Sequence, residues 1–168
     1  VLVAALLPIA PTPLWTQPAQ EPPHFITSGA WRPYVEDGGT LVPVPLPSSK
    51  PSNISTMRWS SFTGLDFAVP GGYFIGPSGE NDRSAIFTSP PRPTSSLLDT
   101  VARRGVVLSV GNLDRQAAVE DLKFWRASVV VLGKHPHEAE LLDVLQQLLG
   151  PAQRVDDVWL WDVRGLTR

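Results

Sequence analysis

The sequence contains no cysteine, which excludes disulfides, thiolate zinc sites, iron–sulfur clusters and cysteine nucleophiles together. Charge of one sign is missing too: 14 Lys and Arg stand against 16 Asp and Glu, a net charge of −2. Such a balance offers no electrostatic footprint for nucleic acid and no polybasic run for a membrane surface. A serine nucleophile would need a positioning motif, and no G-x-S-x-G occurs. Neither G-x-G-x-x-G nor a Gly-Lys-Ser/Thr ending is present to cradle a phosphate. No apolar run reaches the roughly 20 residues of a membrane-crossing helix. The nearest is Val1 to Ala10, VLVAALLPIA. There is no internal repeat.

What is present suffices for a packed body. The chain has 168 residues, 42% of them apolar, enough for one domain with its own core. Proline divides it: of 18 prolines, eleven lie between Pro8 and Pro51, five between Pro70 and Pro93, and then only Pro136 and Pro151 follow. Because proline fixes φ and removes a donor, the first third is expected to be extended or irregular. Residues 1–10 are read as the outer end of a membrane span, 11–23 as a proline-rich linker, and 24–168 as one α/β domain.

Within that domain, Ser28 to Val35 suggests a helical turn before Asp37-Gly38-Gly39. Thr40 to Leu46 suggests an edge strand, since its prolines cannot serve a central ladder. A short amphipathic helix is expected within Ser52 to Thr63, a short strand at Leu65 to Val69, and a surface loop from Gly76 to Pro93. Thr94 to Arg104 has helical periodicity, with Gly105 as its stop. Val106 to Val110 and Ser128 to Leu132 are continuous apolar runs of the kind found in doubly covered strands. Between them Asp114 opens a helix carrying Ala118, Leu122 and Trp125. A further helix follows Pro136, with Leu141, Leu142, Leu145, Leu148 and Leu149 inside, and Val158 to Val163 is a last strand. This alternation implies an α/β three-layer sandwich with a mainly parallel sheet, preceded by the proline-rich arm. The last strand is open to an antiparallel edge position.

The candidate chemistry is sparse. His135-Pro136-His137, with Glu138 and Glu140, is the one metal-like cluster, but Pro136 marks a helix entrance where neighbouring side chains diverge. It reads better as a solvated helix start with favourably placed acids, and no metal is expected. The glycines around Gly71-Gly72 and Gly76 to Gly79 read as turn and bulge positions. The pairs Glu36-Asp37, Glu120-Asp121 and Asp156-Asp157 face different directions and form no acid–base pair. No catalytic residue and no cofactor emerges. Aromatic residues are more suggestive, because ring platforms with polar neighbours suit sugars or anchoring at a lipid interface. Trp31, Arg32, Tyr34, Arg58, Trp59 and Tyr73 are the candidates to line a groove, if one exists. Core packing is the competing role for each taken singly.

Several stretches together resemble a known family. They are Phe25 to Val35 (FITSGAWRPYV), Gly38-Gly39-Thr40, Val42-Pro43-Val44-Pro45, Met57-Arg58-Trp59, Gly71 to Pro77 (GGYFIGP) and Val158 to Arg164 (VWLWDVR). They resemble the C-terminal tails of actinobacterial multi-span membrane glycosyltransferases of the C-type fold, which use polyprenyl-phosphate sugars. The resemblance covers nearly the whole chain, but none of it is a catalytic motif. The family's catalytic acids belong to an early external loop without a counterpart here, so no site residue carries over. The resemblance implies an accessory domain at the cell membrane, on the extracytoplasmic side. Its partners would be the rest of the same membrane protein and a cell-wall glycan or lipid-linked sugar. Two readings compete with glycan support: a partner-docking domain without ligand, and a free-standing enzyme whose apolar first residues are core.

Overall fold

In a computed structural model the described residues are 21–48, 55–79, 82–107 and 109–168. The expected span remnant and most of the linker lie outside them. Among the described residues no helix is long and apolar enough to cross a membrane. The elements in chain order are α1 (His24–Thr27), a 3-10 turn at Arg32–Tyr34, β1 (Thr40–Val44), α2 (Met57–Phe62), β2 (Tyr73–Gly79), β3 (Asp82–Thr88), α3 (Pro93–Arg104), α4 (Asn112–Phe124), β4 (Ala127–Leu132), α5 (Glu138–Leu149), β5 (Gln153–Val155), β6 (Val158–Asp162) and α6 (Arg164–Thr167).

A four-stranded sheet in the order β1-β4-β6-β5 organises the fold. β1 and β4 are parallel, whereas β4–β6 and β5–β6 are antiparallel. The sheet is therefore mixed, not mainly parallel. All six residues of β4 are buried, and Val129 to Leu132 divide between two apolar clusters by strand alternation. Val130 and Leu132 join Val42, Val44, Trp161 and the inner faces of α3, α4 and α5. Val129 and Val131 join Leu41, Leu160, Phe25, Trp31, Trp59 and Phe67 on the other side.

Two expected strands do not form among the described residues. Val106 and Val107 are 52% and 42% exposed, because β1 and β6 already occupy both flanks of β4. Leu65 to Val69 contributes a single bridge, Ala68 to Thr40. That bridge explains how β1 accommodates Pro43. The Leu41 N–H donates to Ala68 at 2.9 Å, on the side away from β4. Pro43 shares that side by alternation, so its missing donor falls where no ladder runs. Conversely, the expected loop after Gly76 is a hairpin, β2–β3, with register shifts at Tyr73/Gly76 and Pro77/Gly79. The last strand, β6, is antiparallel as allowed, but it is interior and β5 takes the edge.

Helix ends follow their local chemistry. Pro93 occupies the first turn of α3, where the Arg92 N–H donates to Ser95 Oγ at 2.9 Å. Gly105 ends the helix at φ 60°, and a Cβ there would run into the His137 ring. α4 begins at Asn112, earlier than Asp114, whose carboxylate receives the Gly111 N–H at 2.8 Å.

The buried carboxylate of Asp121, 1% exposed, joins two helices. It accepts from Arg92 Nε at 2.5 Å and from the Thr94 N–H at 2.8 Å, anchoring the start of α3 to α4. Replacing Asp121 with Ala leaves both donors unanswered. Chemical denaturation is expected to show a loss of about 2–4 kcal/mol, with Asp121→Asn intermediate because it keeps one acceptor. Equal stability of Asp121→Ala and wild type would remove this link from the fold.

Candidate functional site

α3 carries a polar stripe along one face, Ser96, Asp99, Thr100 and Arg103, at helical spacing i, i+3, i+4 and i+7. The opposite face carries Leu98, Val101 and Ala102 into the core. The stripe forms one wall of a groove of about 390 Å³. Leu46-Pro47-Ser48 after β1 and Thr88 to Pro91 after β3 form other parts of the lining, together with Trp125 from the end of α4. Arg103 donates from Nε to Asp99 Oδ2 at 3.0 Å, and its Nη2 lies 2.9 Å from the same oxygen as an ion pair. Arg92 is held at the inner end by Asp121, with its guanidinium 4.2 Å from the centre of the Phe124 ring. The groove combines a half-buried indole and proline surfaces with hydroxyls and one ordered carboxylate–guanidinium pair.

A second cleft of about 430 Å³ lies where the parallel strands β1 and β4 end. Val44, Pro45, Trp59, Gly133, Lys134 and His135 line it, with Asp157 at one side. Gly133 permits the close approach, since a Cβ there would sit 3.3 Å from Trp59 Cζ2. His135 Nδ1 accepts the His137 N–H at 3.0 Å, so its neutral ring carries the proton on Nε2. Desolvation is the main cause that lowers the His135 pKa below 6.5; His137 lowers it further, while Glu138 and Glu140 oppose. Among the described residues no group of three His, Asp or Glu side chains could hold a metal ion.

Of the six expected lining residues, Trp31, Tyr34 and Trp59 meet in one apolar cluster with Arg32 beside the Trp31 ring, while Arg58 and Tyr73 stand apart. Trp31 and Trp59 are core, 4% and 5% exposed, and Tyr34 packs against the same cluster. Trp31 meets Phe67 edge-on at 4.8 Å. Arg32 lies 5.0 Å from the Trp31 ring centre and 3.6 Å from Asp66. Arg58 is exposed on α2, and Tyr73 is 54% exposed on the hairpin. Of the six, Trp59 alone lines a described cleft, the second one. Trp125, which reads from sequence as a core-face residue, does pack against the apolar cluster, and its remaining surface is the aromatic part of the first groove. The signal that could have found that groove is the polar stripe itself, on a helix whose other face is apolar.

A base whose pKa is lowered by folding favours the neutral state in the fold. Its contribution to stability is complete above 6.5 and declines as pH falls through the lowered value. Proton-detected NMR is expected to find His135 titrating below 6.5 as the Nε2–H tautomer. His135→Gln should flatten the acid limb of Tm against pH. Titration at or above 6.5 would contradict this environment. No family model matches the chain, and neither a curated protein nor a solved structure does.

Proposed function

We propose that this is a non-catalytic accessory domain of a membrane glycosyltransferase, on the extracytoplasmic side, which holds a carbohydrate chain in the groove beside α3. The observation that carries the reading is the lining of that groove. The C–H faces of a sugar ring suit the indole of Trp125 and the rings of Pro47, Pro90 and Pro91. Sugar hydroxyls suit Ser96, Thr100 and the Asp99–Arg103 pair, which the helix holds in fixed geometry. The family resemblance of the Phe25–Val35 and Val158–Arg164 stretches supplies the cellular setting. We also read the sheet as the middle of three layers, since apolar clusters lie on both faces.

A second reading, docking to another part of the parent protein, draws on the β2–β3 hairpin. Tyr73, Phe74, Ile75 and Phe87 on it are 54%, 45%, 71% and 56% exposed. That is a concentration of apolar surface on a two-stranded unit, which needs packing to be stable.

Amide-shift titration with mannose, arabinose and cell-wall oligosaccharides separates the two. The carbohydrate reading expects saturable shifts at Ser96, Asp99, Arg103 and Trp125. Trp125→Ala should weaken binding about tenfold or more, while the chain alone transfers no sugar. A flat response to every sugar favours docking, and sugar transfer by the chain alone ends the non-catalytic reading.

A further inference from the structure

A second polar depression lies at the opposite end of β1 from the groove, and it does not depend on the carbohydrate reading. The Glu36–Gly39 turn, the end of α4, the start of β4 and α6 enclose about 230 Å³. Four cations from two separate stretches of the chain line it, Lys123 with Arg126 and Arg164 with Arg168, and Glu36 and Asp37 are the lining acids. Two of the cations are engaged. Arg168 pairs with Glu36 at 2.6 Å, and Arg164 with Asp162 at 2.9 and 2.5 Å. The side chains of Lys123 and Arg126 have no hydrogen bond or ion pair among the described residues, leaving Asp37 on the rim as the opposing charge.

Two further observations bear on Arg126 and its surroundings. Its φ is +54°, the left-handed conformation in which a helix usually ends on glycine. A non-glycine residue there costs about 1 kcal/mol or more. A helix C-terminus attracts cations by a similar amount, but that attraction leaves the neighbouring hydroxyl unexplained. Ser128 is 4% exposed and lines the same depression. Its hydroxyl has no hydrogen-bond partner among the described residues. The Gly39 backbone crosses so near it that a Cβ there would collide with Ser128 Oγ.

We propose that this depression binds one phosphate group, as a monoester or diester. The guanidinium of Arg126 and the ammonium of Lys123 meet its charge, and the Ser128 hydroxyl donates to one oxygen. The group could be supplied by a soluble phosphate compound or by a phospholipid headgroup, so the test has an arm for each.

Titration of the 168-residue chain with inorganic phosphate is expected to give saturable amide shifts at Gly38, Gly39 and Arg126 to Ser128. The expected Kd is on the order of 1 mM or tighter. Arg126→Gly suits the left-handed backbone, so its Tm should hold or rise. Its phosphate affinity should nevertheless fall about tenfold or more, and Lys123→Gln should weaken binding in the same direction. Flotation with phosphatidylglycerol vesicles, against phosphatidylcholine vesicles, assigns the source. Anionic-vesicle binding lost in Arg126→Gly points to a headgroup, and phosphate binding without vesicle binding points to a soluble ligand. The proposal is overturned if neither probe binds. It is equally overturned if sodium chloride at matched ionic strength reproduces the shifts, or if Arg126→Gly binds as tightly as wild type.

Discussion

Ala127–Leu132 has no side facing solvent, and most of the architecture follows from that constraint. A strand buried on both faces must be apolar at every position where it has a choice, and must find ladder partners on both edges. β1 and β6 supply those partners, in opposite orientations. Their alternating side chains then commit Val42, Val44 and Trp161 to one apolar cluster and Leu41, Val158 and Leu160 to the other. Trp161 is fixed further by its indole N–H, which donates to the Gly150 carbonyl at 2.9 Å. Trp159 donates to Glu138 at 2.9 Å while Arg154 covers its ring. The end of α5, the β5–β6 turn and the sheet thus form one connected unit.

That central strand was plain in the sequence, as were the three long helices, because their patterns are strong and local. SVVVL can only be a buried run, and the leucines after Pro136 repeat at helical spacing. What was not legible depended on competition between distant segments. Val106 to Val110 is as apolar as a core strand, yet the position it would take belongs to Thr40–Val44, a stretch in which Pro43 removes a backbone donor. The hairpin was hidden because its glycines and Pro77 resemble loop composition and its register is broken by shifts. The candidate groove was missed for a related reason. Aromatic residues drew attention to Trp31 and Trp59, and burial claimed both, whereas Trp125 looked like core and lies half in a groove. No local signal joins Lys123, Arg126, Arg164 and Arg168, which converge through β4 pairing with β1 and through α6 folding back.

The two ends of β1 have contrasting character. Beyond Val44 the chain turns into the proline- and hydroxyl-lined groove, whose charges are neutralised in place by Asp99 with Arg103 and by Asp121 with Arg92. Before Thr40 lies the turn whose surroundings keep two cations unneutralised. A neutral, partly aromatic lining and a cationic depression ask for different ligands. The rigid sheet between them means either can be altered without disturbing the other, apart from changes to β1 and β4 themselves.

The fastening of α1 has a mechanical implication. The Asp157 carboxylate receives the N–H groups of His24 and Phe25 at 2.7 and 3.0 Å, and Asp156 meets the His24 ring at 2.5 Å. Tension arriving along the backbone from the residues before Pro23 is therefore met first by this carboxylate clamp on the β5–β6 turn. Only when the clamp yields does Phe25, fully enclosed behind it, begin to leave the apolar cluster. The clamp thus ties the start of α1 to the β5–β6 turn, so that a pull on His24 loads this turn before the sheet interior.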